Sequence, residues 1–119
     1  MRREGRDEVY LLDMLMAAEE VQRFAKDLTW EKFVDSEIHQ RAITKSLEII
    51  GEAAGKISKA TRTKHTEIPW GDIIGMRNRL IHEYFEIDLR KVWEAACNDI
   101  PNLIEQLEPL VPSEEGFKG

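Results

Sequence analysis

Apolar residues recur along most of this chain at alternating steps of three and four positions, the spacing expected when one face of a helix packs against a core. Two long series in the first half of the chain each predict a helix. The first comprises Tyr10, Met14, Ala17, Val21, Phe24 and Leu28, and the second comprises Ile43, Leu47, Ile50, Ala54 and Ile57. Thr29 can cap a short connecting helix over "TWEKFV", and Asp35 or Ser36 can cap the second long helix.

The second half of the chain predicts two more helices. Pro69 suits the first turn of the third helix, and Asp88 can cap the fourth. The apolar series of the fourth helix is Leu89, Val92, Trp93, Ala96, Ile100, Leu103 and Leu107. Pro101 interrupts that series, and its ring and missing N–H must kink or split the helix. The segment "TRTKHTE" is predicted to be a loop, and residues 1–6 and 111–119 to be frayed ends.

These patterns predict an all-α fold, a compact up-and-down bundle of four main helices with one short connecting helix, and residues 1–119 are expected to form a single domain. Gly51 and Gly55 lie four apart at the edge of the second apolar series. Because glycine lowers helix propensity, close approach of another backbone would explain them, and simple tolerance of glycine would explain them equally well.

Composition narrows the class of protein without identifying a function. The chain is 42% hydrophobic and 34% charged, and it has one cysteine. No apolar run approaches the roughly 20 residues that span a bilayer, so no membrane partner is expected. A single cysteine excludes an intramolecular disulfide and is typical of a reducing compartment, which predicts a cytoplasmic protein. Cys97 is expected to be a buried structural thiol rather than a nucleophile.

Charge is unevenly distributed along the chain. The net charge of −6 argues against a protein that coats nucleic acid without specificity. Residues 53–66, "AAGKISKATRTKHT", nevertheless carry Lys56, Lys59, Arg62 and Lys64 and no acidic residue. This basic stretch is either a solvated helix end or a local phosphate-binding patch, and the overall negative charge favours the first interpretation.

Residues 76–89, "MRNRLIHEYFEIDL", mix polar side chains into an apolar helix face. The apolar arc of the third helix comprises Trp70, Ile73, Ile74, Leu80, Ile81, Tyr84 and Phe85. Arg77 falls in the middle of this arc, nearly in line with Tyr84, and Asn78 and His82 lie together on its shoulder. A guanidinium keeps its proton, so Arg77 needs an anionic partner or a wet cleft. Snorkelling, or an ion pair with a core carboxylate, would explain Arg77 without a functional site.

Together these polar residues hold the parts needed to cleave an RNA phosphodiester without a metal ion. A histidine can take the proton from a ribose 2′-hydroxyl, which attacks the neighbouring phosphorus, while an arginine stabilises the developing charge. An acid is also needed for the leaving oxygen, and a symmetric dimer that brings two copies of the motif together would supply it.

Residues 68–93, "IPWGDIIGMRNRLIHEYFEIDLRKVW", preceded by "SLEIIGEAAGKIS", resemble the HEPN superfamily, and within it the HepT-like toxins encoded beside a minimal nucleotidyltransferase. The resemblance extends over about residues 7–108. The family pattern is an arginine, a polar residue, several further positions, a histidine, any residue and a tyrosine. Here Arg77, Asn78, His82, Glu83 and Tyr84 match that pattern.

The resemblance implies an all-helical homodimer with metal-independent endoribonuclease activity on an RNA substrate and no cofactor. Arg77 and His82 would be catalytic, with Asn78 supporting them. A cognate minimal nucleotidyltransferase antitoxin would silence the toxin by attaching AMP to Tyr84, because a bulky anion there would block the cleft and repel an RNA phosphate. Relatives often have a small residue at position 83. The carboxylate of Glu83 here adds negative charge near the site, which opposes the binding of an RNA phosphate.

Two alternatives stay open. The same bundle could be a non-catalytic nucleotide- or substrate-binding subunit of a partnered nucleotidyltransferase, which the acidic composition favours slightly. It could also be a purely structural dimer in which Arg77 makes a buried ion pair. The complete set of motif residues favours the enzyme.

The remaining polar candidates carry less weight. His39 and His65 lack a partner at metal-ligand spacing and are expected to be ordinary surface or loop residues. Nothing in the spacing of Glu52, Asp72 and Glu86 demands a carboxylate site.

Overall fold

A computed structural model describes residues 3–83 and 86–112, and this part of the chain consists of helices and connecting turns. The helices are α1 (Arg3–Ala25), α2 (Trp30–Asp35), α3 (Glu37–Lys56), α4 (Lys59–Lys64), α5 (Trp70–His82), α6 (Leu89–Glu94) and α7 (Ile100–Leu107). A π-helical turn, Ala95–Asp99, joins α6 to α7, and a 3₁₀ turn, Glu108–Leu110, follows α7. The predicted all-α fold is confirmed. None of these helices is long and apolar enough to cross a membrane.

The core forms around α3, which packs against both α1 and α5, while α1 also packs against α7. Every position in the two long apolar series of the first half is buried or half-buried, including Met14 and Val21 on α1 and Ile43 and Ile50 on α3. Burial of these side chains is the main favourable term in folding. The predicted helix faces therefore match the observed core.

Three helix starts lie where their capping residues predicted. The Thr29 hydroxyl accepts the Lys32 amide, and the Asp88 carboxylate accepts the amides of Arg90 and Lys91. Of the two candidates for α3, Ser36 is the cap, because its hydroxyl accepts the His39 amide. Each bond satisfies an amide that has no partner within its helix. Pro69 immediately precedes α5 instead of occupying its first turn.

The segment predicted as a loop contains a helix. α4 occupies residues 59–64, and the Ser58 hydroxyl caps it by accepting the Thr61 amide. At the other end of the chain, α1 begins at Arg3, within the segment expected to be frayed. Residues 113–119 lie outside the described part of the chain.

Asp7 on α1 fastens the turn between α3 and α4. It is only 4% exposed. One carboxylate oxygen accepts the Ser58 amide at 3.0 Å, and the other accepts the hydroxyls of Ser58 and Thr61, each at 2.6 Å. These bonds connect residues more than 50 positions apart in the chain and hold the basic stretch against α1.

Asp7→Ala is therefore expected to lower the free energy of unfolding by about 1–3 kcal/mol, because it leaves half-buried donors of Ser58 and Thr61 without the carboxylate that accepts them. Urea denaturation followed by circular dichroism measures this loss. Asp7→Asn keeps one carbonyl acceptor and should lose less. A loss below about 0.5 kcal/mol for the alanine variant would contradict the proposed fastening.

Pro101 splits the fourth predicted helix, as expected, and the split takes the form of the π-helical turn. A proline in a regular helix lacks its N–H and pushes against the carbonyl four residues earlier. In the wider turn the Ile100 amide donates to the Ala95 carbonyl, five residues back, and α7 continues from there. Cys97, expected to be buried, is exposed, because Ala95 and Ala96 take the inward positions of this turn.

The two glycines of α3 have different explanations. A Cβ built on Gly51 would overlap the Cβ of Arg77, and it would lie 2.9 Å from the Cγ of Arg77 and 3.1 Å from the Ile73 carbonyl oxygen. A Cβ built on Gly55 would meet nothing within 4 Å. Close approach of α5 therefore explains Gly51, and tolerance explains Gly55.

Candidate active site

α5 carries the motif and is fixed at both ends. Trp70 opens the helix with its side chain buried, and its indole nitrogen donates to the His65 carbonyl at 3.0 Å. Leu80, near the other end, is 3% exposed. Because α5 packs along α3 between these anchors, the side chains at 77, 78 and 82 project from a rigid element.

Arg77 lies where the helical wheel placed it, against α3. The side chain is half-buried, and its first carbons pack on the bare backbone of Gly51. Its Nη1 donates to the Asn78 Oδ1 at 3.1 Å. Its Nε is buried and has no acceptor among the residues that the structure describes. A buried donor without an acceptor costs about 1–3 kcal/mol, so the site favours an acceptor supplied from outside the described residues.

The interpretation of Arg77 as one half of a core ion pair is not supported by this structure. Among residues 3–83 and 86–112, no carboxylate lies within ion-pair distance of Arg77; the contacts of this kind are those of Arg41 with Glu37 and of the His65 ring with Glu67. The neutral amide of Asn78 holds the guanidinium without cancelling its charge. Arg77 therefore keeps a full positive charge at the edge of the core.

His82 is the last residue of α5 and is exposed. Asn78 precedes it by four positions on the same helix, so the two side chains are neighbours on one face. The Glu83 amide donates to the Arg79 carbonyl at 2.8 Å and closes the last turn, and the Glu83 side chain is exposed. The helix thus presents an imidazole, an amide and a guanidinium along one and a half turns.

The helical wheel fails near the end of α5. It placed Ile81 in the apolar arc, but 41% of that side chain is exposed. It also extended α5 to Phe85, whereas the backbone leaves the helix at Glu83, with φ −111° and ψ 42°. The predicted alignment of Tyr84 with Arg77 depended on a continuous helix. Tyr84 and Phe85 themselves lie outside the described residues.

The other two histidines contact residues at the ends of their own helices. The His39 ring lies 2.6 Å from the hydroxyl of Ser36, the residue that caps α3. His65 ends α4, its carbonyl accepts the Trp70 indole, and its ring lies 3.7 Å from Glu67.

Acidic residues meet at a cavity of about 270 Å³ between α3, α5 and α7. Glu67, Asp72 and Asp99 line it beside apolar side chains such as Leu47 and Ile100. Of the three carboxylates weighed from the sequence, only Asp72 reaches this cavity. The cavity lining does not include Arg77, Asn78 or His82, so it is separate from the motif.

Partial burial, with the neighbouring carboxylates of Asp72 and Glu94, raises the pKa of Asp99 above its ordinary value. The fold therefore prefers the protonated form, and this stabilisation is complete below the ordinary pKa and lost as the pH rises through the raised one. Asp99→Asn should raise the melting temperature by about 1–2 °C at pH 7, since the side chain is exposed and the effect small. The gain should vanish near pH 3; an equal gain at both pH values would contradict this.

One residue that supports the site was not identified from the sequence as part of it. Gly51 lies on a different helix, and its contact with Arg77 joins residues 26 positions apart in the chain. The available signal was a glycine inside a strong helix, which predicted close backbone approach without naming the partner.

Comparison with known proteins identifies the family. The model of the family described as "Ribonuclease HepT-like" matches residues 14–110. The "Putative RNase TTE0752" of Caldanaerobacter subterraneus is 40% identical over 89% of this chain and 95% of that protein. The "Probable ribonuclease HepT" of Thermococcus cleftensis is 38% identical over 92% and 98%, respectively. No solved structure matches significantly. The chain therefore belongs to the HepT-like ribonuclease family, and the enzyme class predicted from its sequence, an endoribonuclease, is confirmed.

Proposed function

We propose that this chain is the toxin of a toxin–antitoxin module, a metal-independent endoribonuclease whose site is completed by a second copy of the chain and silenced by a partner nucleotidyltransferase. It acts on RNA in the cytoplasm. The observation that carries the proposal is the Arg77 side chain, a charged guanidinium at the core edge with a buried Nε that lacks an acceptor in the described chain.

Arg77 is suited to hold the scissile phosphate. A phosphate oxygen supplies the acceptor that Nε lacks, and a guanidinium can bind two phosphate oxygens with parallel hydrogen bonds. The Asn78 amide holds Nη1 at 3.1 Å and restricts the guanidinium in the absence of substrate. The same positive charge stabilises the phosphorane as negative charge accumulates on its oxygens.

His82 acts as the general base. It takes the proton of the 2′-hydroxyl, the 2′-oxygen attacks phosphorus, and the bond from phosphorus to the 5′-oxygen breaks. The leaving 5′-oxygen takes a proton from an acid, for which the His82 of a second copy is the candidate. The products are a 2′,3′-cyclic phosphate and a 5′-hydroxyl end.

The openness of the motif supports a dimer. Asn78 and His82 are exposed on a single chain, and the cavity beside α5 excludes them. Electrostatic catalysis is stronger where water is excluded, and a second subunit over this face would exclude it. Ile81, next to His82, exposes 41% of an apolar side chain that a partner would cover.

The antitoxin half of the proposal concerns Tyr84. This residue follows His82 by two positions, just beyond the end of α5. Transfer of AMP from ATP to its hydroxyl oxygen, with release of pyrophosphate and of the hydroxyl proton, would add a bulky anion near the imidazole. That anion would compete with the RNA phosphate for Arg77 and block access to His82.

RNA cleavage in the presence of a chelator tests the ribonuclease mechanism. Unmodified protein should convert a single-stranded RNA into fragments that end in 2′,3′-cyclic phosphates, with the same rate in EDTA as in magnesium. Loss of cleavage in EDTA would contradict metal independence. RNA binding without any cleavage would favour the non-catalytic binding subunit.

Mass spectrometry tests the antitoxin half. After co-expression with the neighbouring nucleotidyltransferase, the chain should gain the mass of one or more AMP groups on the peptide that contains Tyr84, and cleavage should stop. Tyr84→Phe should cleave RNA and stay active after the same co-expression. Silencing of that variant with no added mass would show that the partner acts by binding alone.

A further inference from the structure

We infer that an open groove at the α1–α3–α4 junction is a second RNA-binding site, which holds the phosphate backbone of the substrate away from the reacting bond. This inference rests on the proposed ribonuclease function. The groove encloses about 580 Å³ and is bordered by Arg6 and Tyr10 of α1, Lys56 of α3, and Lys59 and Arg62 of α4. Arg77, Asn78 and His82 are not among its lining residues.

The charge of the groove is opposite to that of the chain. Four cations line it, in a protein whose net charge is −6. Asp7 is the one carboxylate among the described residues that line it, and both of its oxygens accept hydrogen bonds from Ser58 and Thr61. Asp7 therefore serves the protein's own backbone and turn, and the groove surface is left positive.

The lining of the groove combines fixed cations with an aromatic ring. The Nε of Arg62 donates to the Ile57 carbonyl at 3.1 Å, which fixes the guanidinium beside the opening. The Lys56 ammonium lies 5.6 Å from the centre of the Tyr10 ring, so an aromatic face stands next to the cations. Cations that follow a backbone, combined with an aromatic side chain, form the usual surface for single-stranded nucleic acid.

The groove and the motif both border α3. Gly51 marks the point on α3 where Arg77 packs, and Lys56 follows it by five residues, about 7.5 Å along the helix axis and about 140° around it. An RNA strand whose scissile phosphate lies at Arg77 would pass around α3 to reach Lys56. The sequence favoured a solvated helix end for the basic stretch. With the groove assigned, its ligand is the phosphate backbone of single-stranded RNA.

Fluorescence anisotropy with a labelled single-stranded RNA tests the inference, using His82→Ala so that binding is measured without cleavage. In that background, Lys56→Ala with Lys59→Ala should weaken binding severalfold and lower the slope of log Kd against log salt by about 1.4, or about 0.7 for each lost phosphate contact. Lys26→Ala with Lys32→Ala removes the same charge from exposed lysines outside the groove and should change neither quantity.

Equal affinity and slope for the two double variants would overturn the inference and leave an acidic protein surface as the fitting occupant. The result is separable from the proposed function. If the wild-type chain cleaves no RNA but the loss of Lys56 and Lys59 still weakens RNA binding, the ribonuclease mechanism is wrong. The groove is then still an RNA-binding site. If cleavage requires His82 but the loss of Lys56 and Lys59 changes neither RNA affinity nor the salt slope, only the inference about the groove is wrong.

Discussion

His82→Ala is expected to lower the rate of RNA cleavage by about 10²–10⁴-fold, because the variant loses the group that takes the proton from the 2′-hydroxyl. The loss should fall mainly on kcat, since His82 is assigned to proton transfer rather than to substrate binding. Arg77→Ala should lose about 10²–10³-fold in kcat and also raise KM, because the guanidinium holds the phosphate before and during the reaction. A single-turnover assay with a fluorescent RNA separates the two effects.

Controls for these variants come from the same chain. His65→Ala removes an imidazole that lies 3.7 Å from Glu67 and keeps the backbone carbonyl that accepts the Trp70 indole, so it should cleave RNA as the wild type does. The His82 side chain is exposed, so its removal should leave the melting temperature almost unchanged. Full cleavage by a folded His82→Ala variant would remove this residue from the mechanism.

Mixing experiments distinguish a shared site from two independent ones. When wild-type chains exchange subunits with an equal amount of His82→Ala, a site that needs both histidines should retain about one quarter of the activity of an all-wild-type sample at the same total concentration. Independent sites should retain about one half.

Gly51→Ala is the second substitution with a large expected effect. The added methyl group would overlap the Cβ of Arg77, an atom that cannot rotate away because the α5 backbone fixes it. Overpacking of this kind costs about 1–3 kcal/mol, against a helix-propensity gain of about 1 kcal/mol from replacing glycine. We therefore expect a net loss of stability and a displacement of α5 away from α3.

Gly51→Ala should raise the activation free energy of cleavage by more than it lowers the free energy of unfolding. A displacement of about 1 Å can lower catalysis by about 10²-fold when it moves a group that positions the reacting phosphate. The assay belongs at a temperature where urea denaturation shows the variant fully folded, so that kcat reports geometry alone. Retention of wild-type kcat in the folded variant would contradict a positioning role for Gly51.

Two glycines serve as matched controls for that substitution. Gly55→Ala places the same methyl group one turn further along α3, where nothing lies within 4 Å, and it should raise stability. Gly71→Ala adds a methyl group to the first turn of α5, again with no neighbour, and should leave cleavage unchanged. Opposite signs for Gly51 and Gly55 would show that the contact with Arg77, and not helix propensity, decides the outcome.

Local features of the fold could be predicted because they depend on neighbouring residues. Thr29 and Asp88 cap helices through amides two or three positions away, and the apolar series follow from helical geometry alone. α4 was missed because its six residues carry no apolar series, although Ser58 supplied a cap signal. The bond network of Asp7 could not be predicted, since it joins α1 to a turn more than 50 residues later.

In the candidate site, too, features set by neighbouring residues could be predicted and contacts between distant residues could not. The wheel placed Arg77 correctly because Arg77 lies well inside α5, whereas α5 ends at His82 and so does not extend the wheel to Tyr84, which lies outside the described residues. Arg77, Asn78 and His82 could be selected from the sequence because of their side-chain chemistry. The resemblance to the family then assigned them catalytic or supporting roles. The orphaned Nε of Arg77 depends on packing against α3, which no local pattern contains.

The π-helical turn before Pro101 also constrains how this chain can vary in length. The buried side chains of α7 include Ile100, Leu103 and Leu107, and they face the core only at the rotation that this turn sets. Adding one residue within 95–99 would rotate α7 by about 100° and turn its apolar side chains toward water. Connecting segments such as residues 26–29 absorb insertions without such a penalty. Natural insertions in this chain should therefore occur in its connections and not within 95–99.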